Sequence, residues 1–144
     1  MAEKLCTLRT KGGGGGTWVE TILWANPSPT SNFAAQTVTL SDDINNYDYL
    51  KVSCENHNTI TGVNDPFSAL ISVSDFKTSL AGNSTRHNAF NLVGCYAPSN
   101  SIWTRLMFYD TDTTAKFGGC MQIGGSGSTD VNAIPLQIIG CKFR

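Results

Sequence analysis

The strongest constraint on the fold of this chain is a succession of short runs in which apolar and polar residues alternate, each closed by turn-forming residues. The runs are TWVETILW (17–24), QTVTL (36–40), YDYLKVSC (47–54), FSALISVSDF (67–76), NAFNLVGCY (88–96), SIWTRLMFYD (101–110), AKFGGCMQI (115–123) and IPLQIIGCKF (134–143). Side chains alternate across a β-strand, so a period of two marks a strand with two different faces. The separators NPSPTSN, SDDINN, NHNTITGVNDP, AGNSTRHN, APSN, DTDTT and GGSGSTDVN hold the residues that stabilise tight turns. Composition points the same way. Serine, threonine and asparagine supply 41 of 144 residues against three glutamates, which starves any helix of good formers. The expected fold is therefore all-β: a two-sheet antiparallel sandwich, or jelly roll, of about eight strands. SDDINN is the one place where a helical turn is expected, capped by Ser41.

SIWTRLMFYD sharpens this expectation. Ile102, Thr104, Leu106 and Phe108 fall on one face and Trp103, Arg105, Met107 and Tyr109 on the other. Large apolar groups on both faces predict that this strand is covered twice, by a second sheet and by another chain or a loop.

Ahead of the first run stand five consecutive glycines, Gly12 to Gly16, and eleven residues, MAEKLCTLRTK. Glycine loses the most backbone entropy on ordering, so the glycines read as a flexible tether. The organisation expected is an N-terminal attachment arm over 1–11, a tether over 12–16 and one domain over 17–144. Leu5, Cys6 and Leu8 are the arm's sizeable apolar groups after Met1, and they are the expected assembly contacts.

Few chemical motifs stand out. A net charge of −1 provides no basic stripe for nucleic acid, and no apolar run is long enough to insert across a bilayer. The first ten residues lack the apolar segment of a secretory leader, which places synthesis in the cytoplasm. Cys6, Cys54, Cys95, Cys120 and Cys141 are odd in number and mostly sit in apolar runs, so free, largely buried thiols are expected. His57 and His87 lie in polar loops without a nucleophile signature. Cys54 and His57 have the spacing of two zinc ligands but no second pair follows, and DTDTT lacks the remainder of a calcium loop. No metal or cofactor is expected, and no catalytic residue is identified.

The residues LW-N-P-PTS-FAAQTVTLSDDINNYDYLKV, over 23–52, and IPLQIIGCK, over 134–142, together resemble a module of tailed-bacteriophage and prophage virion appendages, of the tail-fibre, head-fibre or baseplate type. The resemblance covers the first third and the last tenth of the chain. It implies a β-sandwich displayed on a virion, assembled in the bacterial host cytoplasm, as a homotrimer joined to other virion proteins through its arm. It transfers no catalytic or receptor-contacting residue. Neutral hydrogen-bonding loops with interspersed aromatics suit a host-surface glycan, because sugar faces stack on rings and hydroxyls pair with Asn, Asp and Ser. Trp103, Arg105, Tyr109 and Asp110 share a strand and its turn and are the glycan-binding candidates. The alternative for Trp103 and Tyr109 is a subunit interface. The function expected is a non-enzymatic fibre or decoration subunit. A cement protein without receptor binding and a small glycan depolymerase are the alternatives.

Overall fold

The computed structural model describes residues 3–9, 15–57, 64–79, 89–96, 101–125 and 130–144; for 3–9 and 15 it describes the backbone alone. Nine strands form: β1 (Glu3–Arg9), β2 (Gly15–Ala25), β3 (Gln36–Thr39), β4 (Tyr49–Asn56), β5 (Asp65–Ser72), β6 (Phe90–Tyr96), β7 (Ser101–Thr111), β8 (Thr114–Ile123) and β9 (Ile134–Phe143). A five-stranded sheet runs in the order β1-β2-β9-β4-β5 and a four-stranded sheet in the order β3-β8-β7-β6. All the pairings are antiparallel. The architecture is the expected β-sandwich.

β2 to β9 coincide with the eight alternating runs, and the differences are local. FSALISVSDF is a strand only to Ser72; Val73–Phe76 then turns into a single helical turn, α1, because the Ser72 side chain accepts from Asp75 N and caps it. SDDINN does form a short 3-10 turn, Ile44–Asn46, but Asp43 caps it rather than Ser41, its carboxylate accepting from Asn45 N at 2.8 Å. Ser41 instead donates its backbone N–H to Leu23 O and ties the turn to β2.

The larger difference lies at the N-terminus. β1 is not a projecting arm but an edge strand, paired antiparallel with β2 from Glu3↔Thr21 to Arg9↔Gly15. The hairpin satisfies backbone groups that an isolated segment would leave to water. Gly15 and Gly16 accordingly belong to β2, while Gly12 to Gly14 lie outside the described residues. Gly16 has a packing reason to lack a side chain: the ring of Phe143 lies where its Cβ would stand. Leu5, Cys6 and Leu8 fall opposite Val19, Trp18 and Gly16 in the register.

Between the sheets lies one core. Leu50, Val52 and Cys54 of β4, Ile134 and Ile138 of β9, Leu92 of β6, Met107 of β7 and Ala115 and Phe117 of β8 are buried in it, joined by Phe33, Ile44 and Phe76 from the connections. Phe33, Phe117 and Trp24 meet at centroid separations of 5.5 to 5.9 Å, the tilted and edge-on geometry favoured by ring quadrupoles. Among the described residues no helix is long and apolar enough to cross a membrane.

Candidate functional site

The sandwich has two ends, and one of them concentrates polar and aromatic side chains. There β4 begins, β5, β7 and β9 finish, and three connections converge: the 3-10 turn, α1 and the β7–β8 turn. Lys77, just past α1, reaches Asp112 Oδ1 at 3.0 Å and donates to Asn45 Oδ1 at 2.8 Å. Tyr109 donates its hydroxyl to the same Asp112 oxygen at 2.8 Å, and the Lys77 ammonium stands 5.8 Å from the Tyr109 ring centroid. Asp42 accepts from the Tyr47 hydroxyl at 2.9 Å and from Asn46 Nδ2 at 3.0 Å. Asp43 holds Asn45 through both its backbone and side-chain amides. Backbone bonds brace the arrangement, since Ile44 N donates to Asp112 O and Val73 N donates to Asp48 O.

The electrostatics follow from these contacts. The Lys77 ammonium holds the Asp112 carboxyl below the ordinary 3.8, helped by the Tyr109 hydroxyl. The Tyr47 hydroxyl does the same for Asp42. Reciprocally, Asp112 raises both Lys77 and Tyr109 above their ordinary values. Near neutral pH this network is a fixed set of charges and dipoles. Neither depressed carboxyl is suited to hold a proton for general acid catalysis, which needs a raised value.

Beside the network opens a cleft of about 450 Å³, whose lining includes Asn45, Tyr47, Asp48, Tyr49, Ser72 and Lys77. Its aromatic residues are Tyr47 and Tyr49. Tyr49 is 38% exposed and its ring packs 5.9 Å from that of Trp18 on the outer face of β2. Asp48 is pinned within the lining by Phe143 N at 2.9 Å and by Lys142 at 3.5 Å. Side chains already held by neighbours lose little entropy on meeting a ligand, and an aromatic side chain offers a flat apolar surface to a ring. Two other clefts, of about 500 and 690 Å³, open at the opposite end around Asn26. In the smaller one Phe33 is buried and Trp24 packs on Phe33 and Phe117, so those rings serve the core.

The four glycan candidates do not form one surface. Tyr109 belongs to the network just described, and Asp110 is exposed at the same end, where its Oδ2 accepts from the Thr114 hydroxyl at 2.7 Å. Trp103 sits six residues up β7, roughly 20 Å away at the rise of a strand, with its indole N–H on Ser101 Oγ at 3.0 Å. Arg105 is fully buried. Its guanidinium donates to Ala133 O at 2.7 Å, Gly118 O at 2.9 Å and Asn132 O at 3.2 Å, and stands 5.2 Å from the Phe33 ring centroid. It cannot meet a surface ligand, because its alternation places it on the inner face of β7 with its donors committed to loop carbonyls. Asn45, Tyr47, Tyr49 and Lys77 are the residues that reading by strand missed; the signal was present in NNYDY, where amides and tyrosines alternate with an acid.

The other candidates are placed as follows. Cys54, Cys120 and Cys141 are buried free thiols and Cys95 is exposed. Burial pushes the Cys54 thiol up to about 12 and Cys120 and Cys141 up to about 11, so they stay protonated near neutrality. His57 Nε2 stands 3.8 Å from Glu55 Oε1, while Cys54 points into the core, so the pair does not converge as metal ligands. His87 and most of GGSGSTD lie outside the described residues. Among the described residues no group of three or more His, Cys, Asp or Glu is placed to hold a metal ion. The chain matches no protein-family model, no curated protein and no solved structure.

Proposed function

We propose that this protein is a non-enzymatic structural subunit of a tailed-phage virion, a fibre or decoration protein whose β-sandwich adheres to a glycan on the host surface. The observation that carries the ligand reading is the end cleft, where the rings of Tyr47 and Tyr49 stand among Asn, Asp, Ser and Lys groups held by their neighbours. Carbohydrate recognition calls for this combination: a ring face for the apolar side of a sugar and fixed donors and acceptors for its hydroxyls. The virion reading rests on the sequence resemblance over 23–52 and 134–142. Membership of a homotrimer, and contact with other virion proteins through the N-terminal segment, belong to the same proposal. Because β1 is hydrogen-bonded to β2 along one side only, its other side remains the edge of the sheet to which a neighbour's strand could add.

The test is a glycan array probed with the full chain, followed by titration of the best hit against Tyr49→Ala and Lys77→Met. Adhesion predicts retained binding by the wild type, at least tenfold weaker binding by Tyr49→Ala, and no shortening of the glycan on incubation. Absence of binding across the array turns the reading to a cement protein, and a shortened glycan turns it to a depolymerase.

A further inference from the structure

We propose that copies of this chain associate through the outer face of the four-stranded sheet. The register sets the outward side chains of three strands in rows. Cys95, Ile102 and Ile123 lie side by side across β6, β7 and β8, and Val93, Thr104 and Met121 form the next row. Leu106 and Phe108 continue the face along β7. Val93, Ile102 and Ile123 are 46%, 42% and 49% exposed, and Cys95 is exposed beside them. From the Ile102 row to Leu106 the described face carries no charged side chain; Lys116 and Asp110 stand at its lower margin.

The other sheet makes the contrast. Its outer face is crossed by the Glu20–Lys51 ion pair at 2.8 Å and edged by Lys142 and Asp48. Solvated charge of that kind belongs in water, and the exposed Tyr49, Leu70 and Phe143 of that face stand among those charges. The four-stranded sheet instead offers a contiguous apolar field. Three strands at about 4.8 Å spacing and five residues at about 3.3 Å rise give its uncharged part roughly 240 Å² in projection. That is a suitable apolar centre for an interface of about 800 Å² per partner.

Two features argue that the occupant is another copy. A surface that packs on itself must not bring like charges together, and an uncharged field meets that condition in any orientation. Burial also leaves no orphan at the centre. Thr104, the polar residue there, is 5% exposed and bonds within its own chain to Asn91 Oδ1 at 3.3 Å, so it needs no water when a partner covers it. This association supplies the contact face of the proposed homotrimer and rests on that part of the reading, but it is independent of glycan binding at the end cleft, which a single chain contains.

The test is sedimentation equilibrium of the full chain from 1 to 100 µM, with Ile102→Glu and Ile123→Lys as disrupting variants and Leu70→Glu as a control on the opposite sheet. The expected result is a mass at least twice the 15.5 kDa of one chain, unchanged in Leu70→Glu. Each disrupting variant should raise the dissociation constant more than about thirtyfold, because a charge forced against an apolar partner surface is among the costliest substitutions. Should a variant misfold, alkylation of Cys95 in the wild type supplies the same answer: its rate should fall as concentration rises and the face is covered. A wild-type monomer at 100 µM overturns the proposal, and so does an oligomer in which Cys95 labelling is independent of concentration or in which Leu70→Glu alone dissociates the assembly.

Discussion

Replacing Arg105 with methionine should destabilise the sandwich by about 3 kcal/mol, although methionine resembles the arginine stem and removes a charge that burial disfavours. Burial lowers the pKa of Arg105, and three backbone carbonyls compensate its charge. Two of those carbonyls belong to Asn132 and Ala133. Ala133 is held at a φ of +44°, a conformation that costs a residue with a Cβ, and its N–H is taken by Asn56 Oδ1 at 2.8 Å. The guanidinium therefore fixes the loop that leads into β9, and through Phe33 N on Asp130 O it also fixes the Phe33 segment. Leaving two buried carbonyls and the half-buried Gly118 carbonyl without donors costs roughly 1 to 3 kcal/mol each, about 6 in all, and release of the guanidinium from the core returns about half of that. With a urea m-value of about 2 kcal/mol/M, a net loss of 3 kcal/mol lowers the midpoint by about 1.5 M. Urea titration followed by tryptophan emission reads this directly, since Trp24 packs against Phe33 and Phe117. Arg105→Lys should fare no better, because one ammonium cannot span three carbonyls set around a planar fork. A methionine variant within about 0.5 kcal/mol of the wild type would refute the assignment of the loop to this side chain.

Three further outcomes follow from particular contacts. Gly140→Ala should cost about 1 to 3 kcal/mol in the same titration, because its Cβ would stand 2.6 Å from the Tyr47 ring, which Asp42 and the core hold in place; a neutral result would mean that ring is free to move. Asp42 and Asp112 have folded-state values below 3.8, so the unfolded chain binds more protons in acid. Their contribution is complete above the ordinary carboxylate value and is lost as pH falls through the lower folded values. The urea midpoint should therefore drop below about pH 4, and Asp112→Asn should flatten that drop, more so at low salt; an unchanged slope counts against the Lys77 and Tyr109 contacts. Finally, a thiol reagent at pH 8 should label Cys95 in the native protein and leave Cys54, Cys120 and Cys141 intact until denaturant is added, as peptide mass mapping would report. Native labelling of those three at the rate of Cys95 would contradict their burial.

The strands were legible because their causes are local. Alternation at a period of two and the chemistry of Gly, Pro, Asn and Asp turns act within a few residues, so β2 to β9 could be placed from the sequence, and SIWTRLMFYD announced that both its faces would carry apolar groups. What lay beyond local signals depended on partners distant in the chain. Five glycines read as a tether because their entropy is intrinsic, yet two of them are strand residues, paired with Leu8 and Arg9 and, at Gly16, lying under the ring of Phe143. Arg105 read as a surface donor because arginine is seldom buried, and only the loop 27 and 28 residues downstream supplies the carbonyls that make its burial tolerable. The end cleft was invisible strand by strand because Asn45, Tyr49, Ser72 and Lys77 come from four separate places, the 3-10 turn, β4, β5 and the segment after α1. Sequence thus determined which segments extend and where they turn, since those are short-range preferences. Tertiary structure decided which strand ends meet, which polar groups are buried against carbonyls and which face is left without a partner, because each of those depends on contacts between residues tens of positions apart.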